Sequence, residues 1–316
     1  MSMQIAGLDI GGTKCAVLMG QIQEDGELRM IRKEIFTTEA AGQSLETIYG
    51  ILDPWMSTYH PEAIGISCGG PLNSRTGVIL NPPNLYGWEN VPIVEELQAR
   101  YGVPARLEND ANACAVAEWK FGAAKGAENV IFLTCGTGLG AGIIINGHLI
   151  SGTSGMAGEV GHIRLSNYGP AGYGKVGSFE GFCSGGGIAQ LGRLRYLEGL
   201  QQGRKSQRVQ DIKDLDSLTA KSIAQAARAG DETARAVLEE SAAWMGRGLA
   251  ILVDLLNPQI LVLGSVYARC WDMMFPGIMR ELAKEALPQS LADCSIVPAG
   301  LGDEIGDYAA LSLAIL

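Results

Sequence analysis

Two stretches of this chain repeat one device, an apolar strand, a glycine turn and a second apolar strand. The first is Leu8-Asp9-Ile10-Gly11-Gly12-Thr13-Lys14, with Cys15–Met19 returning as a strand. The second is Leu133-Thr134-Cys135-Gly136-Thr137-Gly138-Leu139, followed by the β run that starts at Gly140 and ends at Ile145. A glycine turn shows several backbone N–H groups on one side and, lacking Cβ atoms, lets an anion approach closely. Either turn alone is also read as a plain tight turn. The matched pair suggests a duplication: two related α/β domains facing each other across a cleft, with two turns able to clamp a polyphosphate. Thr13, Thr137 and Lys14 would add two hydroxyls and a cation.

The length agrees, since 316 residues suggest about two domains. With 47% hydrophobic residues there is material for a sizeable core, which excludes a disordered chain. A net charge of -10 argues against a nucleic-acid partner. The seven cysteines are scattered, with no CxxC pair, and read as reduced intracellular thiols. No signal peptide is recognised at Met1–Ile5. The most apolar stretch, Leu249–Val266, is interrupted by Asp254, Asn257, Pro258 and Gln259, so no membrane span is expected. The reading is a cytoplasmic protein.

Apolar spacing places a strand at Gln4–Asp9, a helix at Leu45–Met56, a strand at Ala63–Ser67 running into Cys68-Gly69-Gly70-Pro71, and a helix opening at Asn109-Asp110. Gly152–Gly187 reads as irregular and too long for an idle loop. Helical spacing then dominates Ile188–Leu256, with the charged run Gly203–Asp216 as an exposed connection. The domains are expected at 1–115, with a helix at about 303–316 packing back on it, and at 116–302.

Competing motifs fail. There is no GxxxxGK[ST]. Gly136-Thr137-Gly138-Leu139-Gly140-Ala141 satisfies GxGxxA, but a β run follows it where a dinucleotide site needs a helix. Asn109-Asp110 suits a helix cap as well as a site. Glu159 and His162, among small residues, and Glu180, after Gly172, Gly174 and Gly177, have side chains that could hold the hydroxyls of a neutral polyol. A structural histidine is the plainer alternative.

In order, Asp9-Ile10-Gly11-Gly12-Thr13-Lys14, Glu108-Asn109-Asp110-Ala111-Asn112, Thr134–Gly142, Gly158-Glu159-Val160-Gly161-His162, Asn257-Pro258 and Val262-Leu263-Gly264 resemble the ROK family of sugar kinases and repressors. The resemblance implies an α/β, two-domain actin/hexokinase-type (ribonuclease H-like) fold with an interdomain cleft. It implies ATP-dependent transfer to the 6-hydroxyl of a hexose, glucose first, or of an acylated hexosamine such as N-acetylmannosamine. Asp110 is then the catalytic base. Gly70, Asn84, Asn109, Glu159, His162 and Glu180 are sugar contacts. Asp9 with Gly11, Gly12, Thr13 and Lys14, and Thr134 with Gly136, Thr137 and Gly138, match the phosphate motifs. Gly264 matches the nucleoside side, where Ser265 replaces a second glycine. Mg²⁺ would bridge phosphates with Asp9 as an outer-sphere partner, and a homodimer is implied.

Many ROK kinases hold a structural zinc with CxCGxxGCxE and the preceding histidine. Here the three cysteine positions hold Ala171, Tyr173 and Ser178, so no zinc is expected, with packing of Tyr173 and Phe179 holding the loop instead. A sugar-sensing regulator is the rival of a different class. The first strand starts at Gln4, which leaves no room for the DNA-binding domain such members carry.

Overall fold

The computed structural model describes residues 2–316. The chain forms two compact units. The first comprises Met1–Ala127, Gly142–Ala157 and Gly300–Leu316; the second comprises Glu128–Ala141 and Gly158–Ala299. The first unit thus runs past residue 115, because the helix opened by Asn109 continues to Phe121 and stays in that unit whole.

In the first unit, β1 (Met3–Ile10), β2 (Lys14–Ile22) and β3 (Leu28–Thr37) form a meander. Then come α1 (Ala41–Tyr59), β4 (Ile64–Cys68), the small hairpin β5 (Leu72–Asn73) and β6 (Val78–Ile79), α2 (Ile93–Tyr101), β7 (Ala105–Asn109) and α3 (Asp110–Phe121). The sheet order is β3-β2-β1-β4-β7, with β1, β4 and β7 parallel. Alternation in β1 sends Ala6, Leu8 and Ile10 to one face, where Leu45, Ile48, Leu52 and Trp55 of α1 cover them. Ile5 goes to the other face, against Leu311.

The second sheet has the order β10-β9-β8-β13-β14. Its strands are β8 (Val130–Cys135), β9 (Leu139–Ile145), β10 (His148–Leu149) and, later in the chain, β13 (Ile260–Leu263) and β14 (Ser295–Pro298). Both sheets therefore read third-second-first-fourth-fifth in their own strand order. That is the duplication suggested by the two glycine turns, now visible as topology. Between β10 and β13 lie the hairpin β11 (Ala171–Gly172) and β12 (Lys175–Val176), then α4 (Phe179–Cys183), α5 (Gly185–Gln201), α6 (Ala220–Arg228) and α7 (Glu232–Leu256). After β13 come α8 (Ser265–Arg269), α9 (Trp271–Glu285) and α10 (Pro288–Ala292), and β14 is followed by α11 (Ile305–Ser312).

α11 rests on the first sheet backbone to backbone. Gly7 and Gly65 stand opposite each other on β1 and β4. A Cβ at Gly65 would lie 2.0 Å from the Ala310 carbonyl oxygen, and one at Gly7 would lie 3.1 Å from Leu311. Glu118, fully buried on α3, fixes the approach to α11 by accepting from the N–H groups of Ala123, Gly300 and Leu301. Among the described residues no helix is long and apolar enough to cross a membrane.

Candidate functional site

In the first unit the candidate residues gather at the carboxyl ends of adjacent parallel strands, the usual place for a ligand in such sheets. Asp9 pairs in register with Ser67, and Cys68 with Asn109. The end of β1 with its glycine turn, Gly69-Gly70 beyond β4 and Asn109-Asp110 at the end of β7 thus form one edge. Gly70 is exposed, and the nearest atom to a Cβ placed on it, Leu72 N, would lie 4.0 Å away.

The first turn is closed by Gly11 N–H donating to the Lys14 carbonyl, and Thr38 Oγ1 donates to the Gly11 carbonyl at 2.6 Å. Gly12 is required by space: a Cβ there would lie 2.6 Å from the Asn84 carbonyl oxygen. Asn84 is thereby placed against the turn, on a loop pinned by Leu85 and by Trp88, whose ring N–H donates to the Glu39 carbonyl.

Asn109 caps α3 by accepting from Asn112 N–H, the plain alternative weighed for this dipeptide. That leaves Asp110 in the first helical position, its Oδ1 accepting from Ala111 N–H. The Asp110 side chain reaches solvent, yet enough protein surrounds it that burial raises its pKa above the ordinary carboxylate value. Asp9 is pushed up to about 6, by burial first and then by the charges of Asp307 and Asp110. Asp307 lies on α11 and bonds Lys33 at 2.7 Å, and a Cβ at Gly306 would lie 3.3 Å from Asp9 Oδ2. Lys33 and Lys14 offset part of this negative charge.

In the second unit β8 and β13 are parallel neighbours, and Gly264 N–H donates to the Leu133 carbonyl. Gly264 and Ser265 therefore stand beside Thr134, Gly136, Thr137 and Gly138; a Cβ on Gly136 would lie 3.9 Å from Ser265 Oγ. Ser265 has φ 53, a left-handed conformation that favours glycine. That is the physical reason for a glycine where this chain departs from the ROK pattern. α5 points its N-terminus at the same turn, with Gly185 N–H donating to the Gly136 carbonyl at 2.7 Å. Ser184 caps that helix by accepting from Gly187 N–H, and the dipole of a helix N-terminus favours an anion such as phosphate. Helical spacing alone starts this helix at Ile188, yet it begins at Gly185 behind the Ser184 cap, and a serine before the helix is a cap signal.

Glu159 and His162 are exposed on a segment that lies backbone to backbone on β9. Cβ atoms at Gly158 and Gly161 would come within 2.0 and 2.1 Å of the carbonyl oxygens of Ala141 and Leu139. Glu180 is half-buried under the glycine turn: Oε2 accepts from Leu139 N–H at 3.0 Å, and a Cβ at Gly138 would lie 2.8 Å from it.

The expectation for the loop is corrected in one respect. Phe179 is fully buried, but Tyr173 is 89% exposed and packs against nothing that could hold the loop. Tyr173 and Gly174 both have positive φ and form the two-residue turn of the β11–β12 hairpin. Hydrogen bonds hold the segment instead. Gln190 pairs with both main-chain groups of Ala171, Arg164 donates to the Val176 carbonyl and Lys175 to that of His162. Ser178 caps α4.

A model of the ROK family matches residues 5–315. The chain belongs to the ROK family. The glucokinase of Halalkalibacterium halodurans is 34% identical over 95% of this chain and 91% of its own. A ROK family glucokinase from Streptomyces griseus, solved in complex with glucose and AMPPNP, superposes with a TM-score of 0.74 at 31% identity, covering 99% of each chain. The DNA-binding transcriptional repressor Mlc of Escherichia coli is 33% identical over 72% of this chain but only 54% of its own. The two-sheet α/β architecture is the actin/hexokinase-type fold of ROK hexokinases.

Proposed function

We propose that this ROK protein is an ATP-dependent sugar kinase that phosphorylates the 6-hydroxyl of a hexose, glucose first. The observation that carries the reading is Asp110. Its carboxylate stands at the carboxyl end of β7, on the edge that also carries Asp9 and the first glycine turn, and is destabilised enough by burial to accept a proton readily. The ROK glucokinases at 31–34% identity support the sugar and the nucleotide.

In this reading Asp110 takes the proton of the 6-hydroxyl while that oxygen bonds to the γ-phosphorus and the bond from phosphorus to the ADP oxygen breaks, ADP leaving with the electron pair. Phosphoryl transfer asks mainly for positioning and charge neutralisation. Asn109, Asn84 and the Gly70 main chain are sugar contacts in this reading, as are Glu159, His162 and Glu180. Thr134, Gly136–Gly138 and the α5 N-terminus hold phosphate, with Gly264 on the nucleoside side. Mg²⁺, when bound, supplies neutralisation of phosphate charge, and Asp9 would hold its hydration shell.

The test is coupled ADP release over glucose, mannose, allose, fructose, N-acetylglucosamine and N-acetylmannosamine, with parent and Asp110→Asn protein. Glucose is expected to give the highest kcat/KM. Loss of a positioned base typically costs about 10²–10⁴-fold in rate, so Asp110→Asn with turnover within a few-fold of the parent and a normal fold would sink the assignment. Preference for N-acetylmannosamine would move the substrate and leave the chemistry, and no ADP release with any sugar would favour a sensor like the repressor relatives.

A further inference from the structure

Glu108 is a buried carboxylate that the proposed reaction does not use. It is 6% exposed and directly precedes Asn109-Asp110 at the end of β7. Taking a carboxylate out of water is costly unless hydrogen bonds replace the water. Glu118 meets that need with main-chain N–H groups, which is a fold-holding role. Glu108 has a different pair of partners, both of them side chains. Its Oε2 accepts from Asn112 Nδ2 at 2.9 Å, and its Oε1 accepts from Ser151 Oγ at 3.2 Å.

These partners come from two segments that bear on the site. Asn112 is fully buried in the first turn of α3, and its main-chain N–H donates to Asn109 Oδ1 at 2.8 Å. Glu108 and Asn112 thus flank Asn109 and Asp110 in sequence and are bonded to each other. Ser151 opens the loop 151–157, which closes on itself where Ala157 N–H donates to the Ser151 carbonyl at 3.2 Å. The middle of that loop leans on the β5–β6 hairpin, which follows Gly70. Arg75 donates to the Thr153 carbonyl at 3.4 Å, and a Cβ at Gly155 would lie 3.7 Å from the Leu72 carbonyl oxygen. All of these residues belong to the first unit. The loop therefore runs between the segment after Gly70 and the β7–α3 junction, and Ser151 fastens it at the junction.

We propose that Glu108 is a positioning residue for the sugar. One carboxylate ties the loop 151–157 to the junction that carries Asn109 and Asp110, and so fixes the wall against which the sugar is set. The inference rests on the sugar-kinase reading of that junction. Both carboxylate oxygens are engaged by donors, so Glu108 moves no proton. Its effect falls on sugar affinity, because the tether ends on groups that hold the sugar and not on the transferred phosphoryl group.

The test is calorimetric affinity for glucose, or for whichever screened sugar the parent turns over best, together with sugar KM, ATP KM and kcat from coupled ADP release on the full chain. Ser151→Ala should weaken sugar binding about tenfold, the worth of one hydrogen bond to a charged group. Sugar KM should rise equally, with ATP KM and kcat within about twofold of the parent. Ser151→Thr, which keeps the hydroxyl, should restore parent affinity. In a double-mutant cycle with Glu108→Ala the serine should lose its effect, because its acceptor is gone. Hydrogen exchange in residues 150–158 without ligand should be faster in Ser151→Ala. A merely structural tether would speed that exchange and lower the melting temperature with sugar affinity unchanged, and this result would overturn the proposal. So would an equal rise in ATP KM, a Ser151→Thr protein as weak as Ser151→Ala, or a serine effect that persists alongside Glu108→Ala. If Glu108→Ala does not fold, the two Ser151 variants decide. Unchanged affinity in Ser151→Ala, with a parent that phosphorylates sugar, overturns this proposal alone. A parent that neither binds nor phosphorylates any screened sugar overturns the kinase reading as well.

Discussion

Asp9 shows how one side chain can be destabilising by itself and useful to the site. Its carboxyl titrates near 6 in the fold, against about 4 in an unfolded chain. A pKa raised on folding means that the folded state binds the proton more tightly. Asp9 therefore costs nothing below about pH 4, and the penalty grows as pH rises and is complete above pH 6. The gap corresponds to on the order of 3 kcal/mol as an upper bound. Asp9→Asn should accordingly melt above the parent at pH 8 and level with it at pH 4, in thermal denaturation without nucleotide. The same variant should bind Mg²⁺-nucleotide more weakly at pH 8. A variant that melts below the parent at pH 8 would show that Asp9 is held by contacts that outweigh its burial. Asp110 follows the same logic: its raised pKa should place the acid limb of the rate profile above that of an ordinary aspartate.

At the scale of elements, glycines do two different jobs. Under α11 they admit a backbone. Gly65→Ala puts a methyl 2.0 Å from the Ala310 oxygen, so it should cost at least about 2 kcal/mol in denaturant unfolding. Gly42→Ala, in α1 with nothing within 4 Å, should stabilise by about 0.5–1 kcal/mol. If both changes proved neutral, the close seat of α11 would not exist. In the second turn glycine leaves a face open to a ligand. A valine at Gly138 would strike Glu180 as well as a phosphate, since Glu180 Oε2 lies 2.8 Å from the Cβ position. Gly136→Ala is the cleaner probe, because its methyl would lie 3.9 Å from the nearest side-chain atom, Ser265 Oγ. It should raise KM for ATP about tenfold, a change of about 1.4 kcal/mol, with sugar KM and melting temperature unchanged. An unaltered ATP KM would reduce this turn to a structural one.

At the scale of the whole molecule, what could be read in advance was local. The glycine turns, the cap at Asn109 and the duplicated strand pattern are set by neighbours in sequence, and the sheet orders follow from them. That a C-terminal helix packs back on the first domain is expected from the resemblance, and α11 does so; its seat on Gly7 and Gly65 is not legible, because it joins the last turn of the chain to two early strands. The start of α5 was hidden by three glycines, poor helix formers by themselves. They are needed there because a Cβ at Gly187 would lie 2.1 Å from the Gly181 oxygen. Tyr173 does not pack as an aromatic residue is expected to, because its positive φ puts it at a hairpin tip. These features share a consequence for how the molecule is held together. All seven cysteines are free, and the positions where the family resemblance implies zinc-binding thiolates hold Ala171, Tyr173 and Ser178. Only thiolates, imidazoles and carboxylates make ordinary zinc ligands, and main-chain pairing by Gln190, Arg164 and Lys175 does the holding instead. The whole protein should therefore purify without stoichiometric zinc, and its melting temperature should not change on treatment with a chelator. Its sugar turnover should return in full when Mg²⁺ alone is restored after chelation. Gln190→Ala should lower the melting temperature where the chelator does not. One tightly held zinc per chain, lost together with activity and stability, would show that this segment has recruited other ligands.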